Sequence, residues 1–179
     1  MRCPRRIGAA AAALSASVLA FAGCSADEFA AAPPDTGPVR GPRLPEGART
    51  VMVERVVDGD TVELGGGVGN ARLIGIDTPE VYGGVECFGR EASAYAERQL
   101  DGERVRFTVG REERDRYGRV LVYLWLEDGR SFNAMLVSRG YAQPLTIAPN
   151  DEYAATFVAL SWRARRRSAG LWGRGCDVG

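Results

Sequence analysis

Residues 72–80 read RLIGIDTPE. The run Leu73-Ile74-Gly75-Ile76 is apolar enough for a buried strand, yet Arg72 opens it while Asp77 and Glu80 close it. Charged groups at both ends of a core strand need a reason, and strand alternation sharpens the question. Arg72 and Asp77 are five positions apart, so a regular strand would send them to opposite faces. They can share one place only if the strand bends, and Gly75 is the natural site for a bend or bulge.

Neighbouring segments supply what such a strand could pair with. Thr50–Val57 is rich in β-branched residues, Asp58-Gly59 is a tight-turn signal, and Thr61–Leu64 resumes as a strand. Residues 71–76, 104–109 and 120–126 (VLVYLWL) read as three further strands, and Asp128-Gly129 offers another turn. Helices fit 90–100, stopped by Gly102, and 132–139, with Asn133 near its start and Gly140 as its stop. A third helix fits from Asn150-Asp151, a good N-cap after Pro149, to about Ser168. The expectation is a mainly β fold with helices, a small closed sheet of five strands carrying helical attachments.

Composition narrows the chemistry. The chain has 179 residues, 45% hydrophobic and 26% charged, enough for one cored domain plus an extra segment. It contains no histidine, and all 23 of its basic residues are arginine. Serine-histidine and cysteine-histidine catalysis and imidazole metal sites are therefore excluded. Any enzyme made from this chain works with carboxylates, arginines, tyrosines or a metal held by oxygen.

The N-terminus reads as an export signal of lipoprotein type over residues 1–23. Arg2, Arg5 and Arg6 precede an alanine-rich apolar stretch, and Phe21-Ala22-Gly23-Cys24 resembles a lipobox with Cys24 as the acylated residue. The stretch is short for a transmembrane helix. Five of the nine prolines then fall in 25–47, which reads as a disordered tether behind Cys24. The folded domain is expected over 48–176, with 177–179 as a tail. The expected location is outside the cytoplasm, tethered to a membrane or released.

Loss of residues 1–23 leaves 20 basic against 23 acidic side chains, a formal charge of −3. No global positive field then attracts nucleic acid, and the cluster Arg163-Ala-Arg-Arg-Arg167 reads as a solvated helix face. Two cysteines remain in the domain, Cys87 and Cys176, and an oxidising compartment favours a disulfide between them. A metal site built on two free thiols is the alternative, and no other soft ligand supports it.

Acidic residues mark the candidate site. Asp60 follows the Asp58-Gly59 turn, and Asp77 and Glu80 end the next strand. Antiparallel pairing of these strands would bring Asp60 and Asp77 together, where like charges need a cation between them. Hard oxygen ligands suit Ca²⁺ or Mg²⁺. Arg72 and Arg119 flank strands and could each present a planar fork to a phosphate, leaving Glu80 to activate or orient water.

Five stretches carry a resemblance: VVDGDTVEL (56–64), RLIGIDTPE (72–80), FGREASAY (88–95), DRYGRVLVYL (115–124) and GLW (170–172). In order and spacing they resemble the staphylococcal nuclease (thermonuclease) family over about residues 50–173. The resemblance implies a five-stranded OB-type β-barrel with three α-helices. It also implies a Ca²⁺-dependent endonuclease that hydrolyses DNA and RNA, leaving 3′-phosphate ends. Asp60, Asp77 and the main-chain carbonyl of Thr78 match metal ligands of the family. Glu80 matches its general base or water-ordering group, Arg72 and Arg119 its phosphate-binding arginines, and Arg116 and Tyr117 a pair on the terminal phosphate. The expected substrate is DNA or RNA, single-stranded or denatured by preference, bound by a monomer.

One departure stands out. Where the family has a base-stacking tyrosine after its second helix, this chain reads QPLTIAPN (143–150), which predicts weaker binding or altered base preference. A module of the same fold that binds nucleic acid or protein without cleavage is the competing expectation, and retention of Asp60, Arg72, Asp77, Glu80 and Arg119 argues against it. A lipid-tethered structural protein of the envelope would leave those five residues unexplained.

Overall fold

The computed structural model describes residues 40–173 and 175–176. The export signal, Cys24, the first part of the tether and the tail at 177–179 lie outside the described residues. Seven strands and three α-helices follow one another in the described chain: β1 (Arg49–Val56), β2 (Thr61–Leu64), β3 (Gly69–Leu73), β4 (Gly75–Asp77), α1 (Gly89–Leu100), β5 (Arg104–Arg114), β6 (Val120–Leu126), α2 (Phe132–Arg139), β7 (Gln143–Leu145) and α3 (Ala154–Arg166). A 3-10 turn, Gly170–Trp172, completes the order.

Five strands close into a barrel in the order β1-β2-β3-β6-β5. All its pairings are antiparallel except β3 with β6, which is parallel. The expected mixture of a five-stranded barrel with three helices is therefore present. Alternation explains β1, where Val51, Val53 and Val56 face inward; a register shift between Val53 and Arg55 takes up the extra residue. β6 shows no alternation because it is buried on both faces, with the barrel interior on one side and α2 packed on the other.

The expected strand over 71–76 is in fact two. Gly75 takes φ +80°, a conformation that costs most residues dearly, and β3 ends just before it. A Cβ there would lie 2.6 Å from a ring carbon of Phe157, so α3 packs directly onto the bend. Beyond the break, β4 leaves the barrel and pairs antiparallel with β7 in a separate two-stranded sheet. Buried Asn133 ties the break to the barrel: its Nδ2 donates to the carbonyl of Ile74 and its Oδ1 accepts from the amide of Leu124, each at 3.0 Å.

Helix boundaries follow their caps. Ser131 accepts from the amide of Ala134 to start α2, and Gly140 at φ +75° ends it. The third helix starts at Ala154, later than the Asn150-Asp151 cap expected from sequence. Asn150 serves elsewhere: its amide group accepts from Glu112 N and donates to Glu112 O, both at 3.0 Å, and so clamps the connecting loop to β5. At the other end of α3, Arg165 lies 3.9 Å over the ring of Trp172 and Arg167 donates to the carbonyl of Ser138. Cations at a helix C-terminus complement its dipole.

Packing also begins ahead of residue 48. Trp125 Nε1 donates to the carbonyl of Pro42 at 3.1 Å, and Leu44 rests against the core. The end of the proline-rich stretch is thus bound to the barrel: the carbonyl beside a proline remains a good acceptor, and Leu44 buries apolar surface.

Candidate active site

The Asp58-Gly59 turn sets the first carboxylate. Asp58 accepts from the amide of Asp60 at 3.0 Å, a side-chain-closed turn that aims Asp60 inward. Gly59 leaves room for Thr78, whose Oγ1 lies 2.7 Å from where a Cβ would stand. Asp60 is almost fully buried. Its Oδ2 accepts from Thr78 N at 2.9 Å and from Thr78 Oγ1 at 3.0 Å, and its Oδ1 accepts from Thr61 Oγ1 at 3.3 Å. Burial pushes the Asp58 carboxyl above the usual range, against hydrogen bonds from Thr61 and the charges of Arg72 and Arg119.

The Gly75 bend resolves the question of opposite faces. Arg72, at the end of β3, pairs through Nη1 with Asp60 Oδ1 and through Nη2 with Asp77 Oδ1, the latter at 2.7 Å. Register helps, because Thr61 of β2 stands opposite Arg72 of β3 and carries Asp60 beside it. One guanidinium fork thus neutralises a buried and an exposed carboxylate that lie 17 residues apart in sequence. Two carboxylate oxygens converge on one positive centre, and hard oxygen donors facing a common point fit a divalent cation as well as a guanidinium. Among the described residues no third acidic, histidine or cysteine side chain joins them. A cation there would need main-chain oxygen or water to complete its shell.

The β5–β6 hairpin brings the second arginine. Asp115 Oδ1 accepts from the amides of Tyr117 and Arg119 at 2.9 and 3.0 Å, and its Oδ2 grips Arg119 Nε at 2.7 Å. Burial works against the Asp115 charge, yet these hydrogen bonds outweigh it and hold the carboxyl below its ordinary range. The outer nitrogens of Arg119 can turn to a ligand. Arg116 donates to Tyr117 Oη at 2.6 Å and lies 4.8 Å over its ring, and Arg119 lies 5.5 Å from the same ring.

Arg72, Arg116, Tyr117 and Arg119 line one cleft of about 490 Å³. Its apolar side includes Leu121, Leu145 and Ile147, and Ile147 is 63% exposed. Aliphatic side chains thus occupy the segment where a tyrosine was expected to be missing.

Asp60, Asp77 and Thr78 stand behind Arg72 rather than on the cleft lining. Glu80 is exposed and also lies outside that lining. Among the described residues no hydrogen bond or ion pair joins its side chain to Asp60, Arg72, Asp77 or Arg119. The loop after Glu80 ends at Cys87, which is bonded to Cys176 with their Cα atoms 5.5 Å apart.

Sequence reasoning missed three contributors: Asp115, Asn150 as a loop clamp, and Glu86, which accepts from the amide of Glu80. Asp115 sits four residues before Arg119 inside DRYGR, a visible signal for an ion pair. Asn150 and Glu86 gave none, because their partners lie across loops.

Comparison with known proteins agrees with the geometry. A family model described as staphylococcal nuclease homologue matches residues 70–174. The thermonuclease of Staphylococcus intermedius is 37% identical over 128 residues, covering 69% of this chain and 76% of that protein. The thermonuclease of Staphylococcus hyicus is 36% identical over 129 residues, with the same shares. Endonuclease YhcR of Bacillus subtilis is 34% identical over 145 residues, covering 73% of this chain but 12% of that larger protein.

Proposed function

This chain belongs to the staphylococcal nuclease family, and from that premise we propose that it is an exported, membrane-tethered, Ca²⁺-dependent nuclease. It hydrolyses phosphodiester bonds of DNA and RNA, single-stranded or denatured by preference, to leave 3′-phosphate ends, and acts as a monomer. The observation that carries the reading is Arg72, which lines the cleft while its fork holds both Asp60 and Asp77.

Asp60, Asp77 and the main-chain carbonyl of Thr78 would hold Ca²⁺, whose chemistry there is to neutralise charge gathering on the phosphate oxygens. Arg72 and Arg119 grip the scissile phosphate from two sides, and Arg116 with Tyr117 holds the neighbouring terminal phosphate. Glu80 accepts a proton from, or orders, the water whose oxygen bonds to phosphorus. The bond from phosphorus to the 5′ oxygen breaks, that oxygen takes a proton from solvent, and phosphate stays on the 3′ side. Fixed positive charge around the phosphate supplies the largest part of the rate gain. The leader at residues 1–23 and Cys24 support export and tethering.

The test is cleavage of denatured DNA by the purified protein with added Ca²⁺ and with excess chelator, run beside Glu80→Gln. Activity should require the ion, and Glu80→Gln should lose turnover more than Ca²⁺ affinity. Full activity in chelator would overturn the metal requirement, and a fully active Glu80→Gln would remove Glu80 from the chemistry.

A further inference from the structure

Glu80 is followed by a loop that folds back on it. Both backbone groups of Glu80 are bound by a single residue: Glu86 Oε2 accepts from Glu80 N at 3.0 Å, and Glu86 N donates to Glu80 O at 2.9 Å. Gly89 N donates to Glu86 O at 3.1 Å, which carries the closure into the first turn of α1. The fit is tight, since a Cβ on Gly89 would lie 2.6 Å from Glu80 O. Tyr82 Oη donates to the carbonyl of Val57 at 3.0 Å and pins the loop to the strand end that leads to Asp60. Next to Glu86, Cys87 is bonded to Cys176, 89 positions along the chain.

We propose that Glu86 is a positioning residue for Glu80, and that the Cys87–Cys176 bond beside it locks the loop in the form that presents the Glu80 carboxylate. The inference rests on the catalytic role assigned to Glu80 above. Among the described residues no hydrogen bond or ion pair fixes the side chain of exposed Glu80, so its direction comes from its backbone, and that backbone is set by the strap. A misplaced catalytic group loses rate far more than affinity, because substrate is held by other residues, here the arginines of the cleft.

The test uses the purified full chain on denatured DNA with Ca²⁺. Glu86→Ala should lower kcat about ten- to a hundredfold with KM changed less than about twofold. Glu86→Gln keeps an acceptor for the Glu80 amide and should recover most of that loss. Added to Glu80→Gln, Glu86→Ala should cost little more, because two residues that act through one group are not additive. The Cys87→Ser/Cys176→Ser variant, assayed at a temperature where circular dichroism shows it folded, should lose kcat in the same pattern.

Unchanged kcat in Glu86→Ala, a loss confined to KM, or a full further loss in the Glu80→Gln background would overturn the proposal. Glu80→Gln measured alone separates the two readings: if it is as active as wild type, the role of Glu80 fails first and the strap has no catalytic group to position. If it is impaired while Glu86→Ala is not, only the strap fails.

Discussion

Arg72 shows how one side chain can belong to two systems at once. Its fork neutralises Asp60 and Asp77, and its position on the cleft makes it available to a phosphate. Lysine carries the charge without the fork, so Arg72→Lys should cost about 10²–10³-fold in kcat on denatured DNA while the protein stays folded. Steady-state assay with a thermal melt checks both halves. Asp115 makes a different prediction. Its carboxyl is held below the ordinary range, so it contributes stability that is complete above the unfolded value near ~4 and is lost as pH falls through the lower folded value. Thermal melts from neutral pH down to about pH 2 should show wild type losing stability below pH 4 more steeply than Asp115→Asn. Parallel curves would deny Asp115 that part. Asp60, Asp77, Arg72 and Arg119 were legible as candidate residue types. Of their partners, Asp115 left a local signal four residues before Arg119, whereas the pairing of Arg72 with two aspartates across strands left none.

At the scale of elements, Gly75 decides where the site forms. Its positive φ ends β3, frees β4 to pair with β7, and turns Asp77 back toward Arg72. Gly75→Ala would add a Cβ in a strained conformation and into the ring of Phe157. Together these should cost about 2–4 kcal/mol and lower the melting temperature. Activity of the variant should fall with it, since Asp77 rides on the bend; a variant with wild-type stability would show that the break is not under steric control. The need for a bend at Gly75 was readable from the parity of Arg72 and Asp77. The existence of β7 was not: three residues containing a proline offer no alternation, and only β4, freed by the break, makes them a strand. Asn150 was misread for a related reason. An asparagine before a helical segment caps it by default, and here the nearby backbone of Glu112 offers two hydrogen bonds instead.

Across the whole molecule, the Cys87–Cys176 bond joins the loop after Glu80 to the end of the domain. A closed loop of that length should contribute about 4–5 kcal/mol by restricting the unfolded chain. Urea unfolding of the Cys87→Ser/Cys176→Ser variant checks this, and a midpoint equal to wild type would refute it. The barrel itself followed from sequence, because strand alternation, turn glycines and helix stops are local signals written every few residues. The absence of histidine likewise removed, before any fold, imidazole bases and imidazole metal sites from the chemistry open to this chain. What the tertiary structure alone decided is who meets whom: Arg72 between two aspartates, and Glu86 against the backbone of Glu80. Those encounters depend on register, on one bend and on loop closure, and such long-range geometry has no periodic trace in a linear chain.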